Sequence, residues 1–255
     1  FYREVRKMNN LMKFEFRKLF KQKSFYICTA VMLGMSFIGL LLNKALASNP
    51  DFNIVLPTVS SALLSAVSSS SFTMVCGIFI ALFVCTDYDQ QTIKNVYSRG
   101  FSRSEVYFSK LILCVVSTVV MFAATLVFTY IAGAAVFDGT AESGNYAGLI
   151  AGQFLYCLAY SSFVFSVSLI VKKVGISIAL AILGPSLIGT VINLADAFLK
   201  TNNFKIGSYW LDGFIGDLTS LATDSSRLIV CIVLSIIYAA VFVATGYLIN
   251  RKQEN

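Results

Sequence analysis

From Leu111 to Val136 the sequence carries no charged residue, and a run of that length leaves few ways to fold. A helix needs about 20 apolar residues to cross about 30 Å of hydrocarbon, whereas a barrel strand needs only about 9–11. Five further uncharged stretches follow the same rule: Phe25–Leu42, Leu63–Cys85, Ala147–Val171, Val174–Ala195 and Leu228–Ile249. Inside lipid every backbone polar group must be satisfied internally, which long apolar runs achieve as helices. The expected fold is therefore an all-α polytopic membrane protein with six transmembrane helices. Composition agrees, with 57% hydrophobic and 13% charged residues against roughly a quarter charged in soluble domains, and a mean hydropathy of +0.76.

Orientation follows from the cations. With the amino terminus inside, sixteen Lys and Arg fall on the cytoplasmic side and only four outside, namely Lys44, Lys200, Lys205 and Arg227. Positive residues in short flanking loops stay in the cytoplasm, so both termini are expected there. The net charge of +7 is thus mainly a topology signal. Its cations sit at helix ends rather than among aromatic platforms, which argues against a nucleic-acid partner. The first run lacks an A-x-A-like cleavage site before Lys44 and is expected to remain as an anchor.

Several chemistries are excluded by what is missing. The sequence has no His, which removes the commonest proton-transfer group and zinc ligand. Its six Cys stand singly in apolar runs and read as small buried hydrophobes rather than a metal or disulfide framework. No phosphate-binding loop, zinc-protease or nucleophile-elbow motif occurs, and the outer acids, including Asp138, Glu142, Asp196 and Asp212, make no convincing catalytic pair. No catalytic residue, metal site or cofactor is expected in this chain. The six runs as drawn also hold no Asp, Glu, Lys or Arg, which disfavours an ion-coupled carrier with a titratable midplane site. A secondary transporter with backbone-lined sites stays open as an alternative, as does a non-transporting membrane scaffold.

Four segments carry most of the remaining information. Residues 11–24 place Leu11, Met12, Phe16, Leu19 and Phe20 at helical spacings among Lys13, Arg17, Lys18, Lys21 and Lys23, the pattern of an amphipathic helix in the interface beside anionic lipid headgroups. Residues 87–110 link the second and third runs and are longer than a helix pair requires. A helix ending at Ser98 before Gly100 is expected there. A second is expected to start at Ser102 or Ser104, with Glu105 near its positive end; Tyr97 and Phe101 read as apolar anchors between Lys94, Arg99 and Arg103. Gly184 and Pro185 predict a kink or a break in the fifth helix, since proline frees a carbonyl. Residues 196–227, with Tyr209 and Trp210, predict an outer segment that is interfacial or partly re-entrant. Gly144, Gly148 and Gly152 predict a close helix contact.

Taken together, LMKFEFRKLFKQKSFY and TDYDQQTIKNVYSRGFSRSEVYFSKLI resemble the permease subunit of bacterial type-2 ABC exporters, in the group with peptide-antibiotic immunity and bacitracin-resistance permeases. The resemblance implies that residues 11–24 are the interfacial elbow helix, with Phe16, Arg17, Lys18 and Phe20, that 87–110 contain the cytoplasmic coupling helix, and that 196–227 form a short outer helical segment before the sixth span. Thr92, Ile93, Lys94 and Asn95 then match the start of the coupling region, and Ser98, Arg99, Gly100, Ser102 and Arg103 its bend. It further implies separate ABC ATPase subunits that bind ATP and Mg2+, a second copy of this chain or a related permease, and export of an amphipathic peptide, antibiotic or lipid-like substrate across the bacterial cytoplasmic membrane.

Overall fold

The computed structural model describes residues 2–47, 58–68, 70–137, 146–199, 206–219 and 224–252. Gly144, Asp138, Glu142, Lys200 and Lys205 lie outside them. The described residues form helices α1 (Tyr2–Lys21), α2 (Lys23–Ala47), α3 (Val59–Ser68), α4 (Ser70–Asp89), α5 (Thr92–Ser98), α6 (Arg103–Val136), α7 (Tyr146–Val171), α8 (Val174–Leu199), α9 (Leu211–Thr219) and α10 (Ser225–Lys252), with a 3-10 turn at Ile206–Tyr209. No strand occurs among them. Six stretches are long and apolar enough to cross a membrane: Lys23–Leu46, Val59–Asp89, Arg103–Val136, Tyr146–Val171, Val174–Phe198 and Ser225–Arg251. The protein is an all-α polytopic membrane protein.

The helices extend beyond the uncharged runs because a helix does not stop where hydrophobicity does. Its backbone bonds continue until a capping or left-handed residue ends them. Thus α4 carries Asp87 and Asp89, α6 begins at Arg103, and the second span starts at Val59 rather than near Leu63.

Helix α7 lies at the centre, packed on α10, α4, α6 and α8. Residues 159–166 are all buried, so the helix is enclosed on every side. Its hydroxyls make the contacts that association in lipid favours: Thr118 and Ser161 hydroxyls meet at 2.9 Å, and Ser166 donates to the Phe242 carbonyl at 2.6 Å. A Cβ on Gly152 would lie 2.8 Å from Leu218 Cδ2, so this glycine admits α9 against α7 within one chain. By contrast α2, α8 and α10 present Ile27, Ile38, Leu187, Val191, Ile229 and Ile236 outward, an exposure suited to hydrocarbon rather than water. All six cysteines are free and buried.

The break expected at Gly184–Pro185 does not occur: α8 is continuous from Val174 to Leu199 with Pro185 inside. Proline removes the N–H that would have bonded the Ala181 carbonyl, and the Tyr160 hydroxyl of α7 donates to that carbonyl instead. A tertiary donor replaces the lost helical one.

Candidate functional site

A cluster of charged side chains lies where α1, α5 and the ends of α4 and α6 meet. Two backbone turns create the site. Gln91 adopts φ 55° and lets α4 end and α5 begin, while Gly100 at φ 80° turns the chain out of α5. Glycine enters that left-handed region without a side-chain penalty. Ser102 then caps α6 as a full capping box: the Glu105 amide donates to Ser102 Oγ at 3.2 Å, and the Ser102 amide donates to Glu105 Oε2 at 2.7 Å. The S-x-x-E spacing made this start legible.

Asp87, in the last turn of α4, is the hub. Its carboxylate pairs with Lys18 of α1 through one oxygen and Lys110 of α6 through the other. Thr92 Oγ1, at the start of α5, lies 3.2 Å from the Asp87 carbonyl and 3.3 Å from Oδ1. Four helices are therefore held by one side chain. Lys110 is 1% exposed and the Asp87 side chain 8%, so neither charge is solvated and each depends on the other. Both ammonium groups also face the Phe83 ring, Lys110 at 5.3 Å and Lys18 at 5.8 Å, a favourable cation–π placement.

A fourth charge completes the group. Glu15 of α1 is 2% exposed and acts electrostatically on Lys110, so Glu15 and Asp87 balance Lys18 and Lys110. Its Oε2 has no partner among the described residues. With Leu11 and Leu19, one turn away on either side, it forms the buried stripe of α1; Met12 and Phe16 lie at the edge, and Phe20 faces outward. Glu15 and Asp87 border a cavity of about 540 Å³ between α1 and α5, whose apolar wall includes Ile93, Val96, Phe101 and Val106.

The expected coupling residues divide into two faces. Ile93 is buried against Leu11 and Val106, with Val96, Tyr97 and Phe101 packed on that cluster. Lys94, Asn95, Ser98 and Arg99 are exposed, as are Thr92, Gly100 and Ser102. Tyr97 and Phe101 are thus half-buried supports inside the chain, and Arg103 stands 5.9 Å over the Tyr97 ring. Of the elbow residues, Lys18 joins the hub and Phe16 the core, while Arg17 and Phe20 are exposed. Nearby, Asp89 Oδ2 accepts the Val174 amide at 3.2 Å, and Lys172, at φ 58°, reaches over the Tyr88 ring. Burial, together with the Arg103 cation, holds the Lys172 ammonium below its ordinary value.

Gly184 and Pro185 belong elsewhere. Pro185 lies about 16 Å along α8 from its first residue, near the helix middle, and Trp210 of the segment before α10 donates to its carbonyl at 2.9 Å. A Cβ on Gly184 would meet Phe163 at 3.2 Å. That segment is pinned further by Asp196 accepting the Gly207 amide at 2.7 Å, Arg227 pairing with Asp217 at 2.8 Å and Tyr238 donating to the Tyr209 carbonyl at 3.1 Å. Gln153 Nε2 donates to the Leu64 and Leu218 carbonyls at 3.0 and 2.9 Å, tying α3 and α9 to α7.

Sequence reasoning missed Asp87, Glu15 and Gln153. The Leu11–Glu15–Leu19 spacing and the lone carboxamide within the fourth run were the available signals. No cluster of His, Cys, Asp or Glu suited to a metal occurs among the described residues. Compared with known families, residues 11–189 match the model described as ABC-2 family transporter protein, more than two thirds of the chain and including the whole hub. No curated protein matches it.

Proposed function

The chain belongs to the ABC-2 transporter family, and from that membership we propose that it is the permease subunit of an ATP-driven exporter in the bacterial cytoplasmic membrane. The hub end is the cytoplasmic end in this reading, and both termini lie there; the excess of cations supports that orientation. Separate ATPase subunits bind ATP and Mg2+ and carry out hydrolysis, while two copies of this chain, or one copy and a related permease, enclose the path. The cargo class is an amphipathic peptide, an antibiotic or a lipid-like molecule.

The mounting of α5 is the observation that carries this reading. Its apolar face is fixed within the chain by Ile93, and its polar face, with Lys94, Asn95, Ser98 and Arg99, is presented outward. A partner pressing on that face would displace α4 through Thr92 and Asp87, α6 through Gly100 and the Ser102–Glu105 box, and α1 through Leu11. Exposed cations at such an interface orient a partner and set its approach.

The test is to solubilise the tagged chain from its native membranes and measure the ATP hydrolysis that accompanies it, then repeat with Lys94→Glu/Arg99→Glu. Normal insertion with several-fold less associated hydrolysis is expected of the variant. Equal hydrolysis in both would remove α5 as the docking element. Cargo transport by the purified chain alone, driven by an imposed ion gradient, would replace the exporter reading with a carrier.

A further inference from the structure

Where α1 turns into α2 a second groove, of about 510 Å³, is lined by Phe14, Arg17, Lys18, Lys21, Gln22 and Thr86. Three of these six are cations and none is an acid. The first span begins at Lys23, so the groove lies at the end of a membrane-crossing helix, the depth at which headgroups meet protein. Phe14 and Phe20 are 55% and 43% exposed beside it, and exposed aromatics next to cations are how an amphipathic helix inserts at a lipid surface.

Lys18 connects this groove to the hub. Phe14, Lys18 and Thr86 line both cavities, so the Lys18 ammonium has Asp87 on one side and the basic groove on the other. The two cations on Asp87 are unequal: Lys110 is 1% exposed and Lys18 31%. Lys18 is therefore the one that can leave, and Lys110 keeps Asp87 paired when it does.

We propose that the groove binds the phosphate of an anionic phospholipid headgroup, and that the bound phosphate draws Lys18 off Asp87, loosening α1 from α4 and α5. The elbow then reports the charge of the surrounding leaflet to the helix that faces the partner. The lipid site itself needs no ATPase, so it and the exporter reading can fail separately.

The full chain is placed in nanodiscs of phosphatidylcholine alone or with phosphatidylglycerol. Retained lipid is counted by native mass spectrometry, and amide exchange is followed over residues 87–98. Arg17→Gln/Lys21→Gln removes two exposed cations of the groove, and Lys13→Gln removes an exposed cation outside it. Phosphatidylglycerol retention should fall roughly 5-fold for each groove charge removed and stay unchanged in the Lys13 variant. Phosphatidylglycerol should speed exchange over 87–98 in the unmodified chain and not in the double variant. Equal losses in the Lys13 and groove variants would reduce the effect to general surface charge. Exchange insensitive to phosphatidylglycerol in the unmodified chain would overturn the role of Lys18. Inorganic phosphate added to phosphatidylcholine discs should do nothing; if it reproduces the change, the site takes a free anion and the lipid proposal fails.

Discussion

The two ends of the bundle fasten a non-spanning segment by opposite chemistry. At the hub end α1 is joined to α4 and α6 by full charges, with Asp87 between Lys18 and Lys110, and α5 is attached to the same carboxylate through Thr92. Toward the other end the segment before α10 is held largely by neutral donors on backbone carbonyls: Trp210 on Pro185, Gln153 on Leu218 and Tyr238 on Tyr209, with Arg227–Asp217 as the ion pair. A buried ion pair is costly to break because the abandoned charge stays in low dielectric. A neutral hydrogen bond loses much less and yields in smaller steps. The buried Asp87–Lys110 pair is accordingly an all-or-none connection with Lys18 as its separable outer partner, and the opposite segment is a set of modest, separable ones.

Asp87→Ala probes the hub most severely. It leaves Lys110 buried without its hydrogen-bonded carboxylate, and about 3–5 kcal/mol of stability should be lost, measured as earlier unfolding in a denaturing-detergent titration. Asp87→Leu/Lys110→Met removes this buried pair, leaving Glu15 with Lys18, and should recover most of that loss. If the single and double variants were equally unstable, the side-chain volume of Asp87 and not its charge would hold the hub. At the neutral end, Gln153→Leu deletes two hydrogen bonds and should cost about 1–2 kcal/mol, with faster exchange confined to α3 and α9. A cost as large as that of Asp87→Ala would erase the contrast between the ends.

Much of the architecture was legible because lipid imposes simple rules. Six uncharged runs gave six spans, Ser102 or Ser104 with Glu105 gave a helix start, and Gly100 gave the turn before it. The hub escaped because the runs were bounded at their first charge. Asp87 and Lys110 then fell at the two ends of a connection read as a cytoplasmic coupling region, although α4 and α6 continue through both and bury them. Glu15 stayed hidden for a related reason: its spacing from Leu11 and Leu19 placed it on the buried face, while its charge argued for the exposed one. Pro185 shows the converse failure. Local chemistry correctly identified a freed carbonyl, but the Tyr160 donor that keeps α8 continuous comes from another helix, and no local pattern announces it.

That exchange of donors can be measured directly. In the unmodified chain, Tyr160→Phe leaves the Ala181 carbonyl without its donor. In Pro185→Ala the helix regains an amide at position 185, and the tyrosine hydroxyl becomes redundant. A double-mutant cycle should therefore show Tyr160→Phe costing about 0.6 kcal/mol with Pro185 present and close to nothing in its absence, the size typical of hydrogen bonds between helices in lipid. Strict additivity would mean that the hydroxyl and the carbonyl are neighbours without an energetic link.

The smallest effect expected is a pH dependence at the neutral end. Packing around Asp212 raises its carboxyl above the ordinary aspartate value, and a hydrogen bond from Ser186 partly opposes the shift. Asp212 keeps much of its surface in solvent, which limits the energy involved. The sign is fixed by proton counting. Between the unfolded aspartate value, about 3.9, and the raised folded value, the docked segment holds more protons than the released one, so docking weakens as pH rises through that window. Trp210 is the only tryptophan in the chain, and its ring packs against Tyr238 with centroids 5.6 Å apart, so its fluorescence reports the docked state. Emission should move to longer wavelength as pH rises through the window and stay fixed in Asp212→Asn. Ser186→Ala, which removes the opposing hydrogen bond, should shift the transition to higher pH. A transition of the opposite sign, or one that survives in Asp212→Asn, would assign the pH response to a different group and remove Asp212 from the contacts that dock the segment.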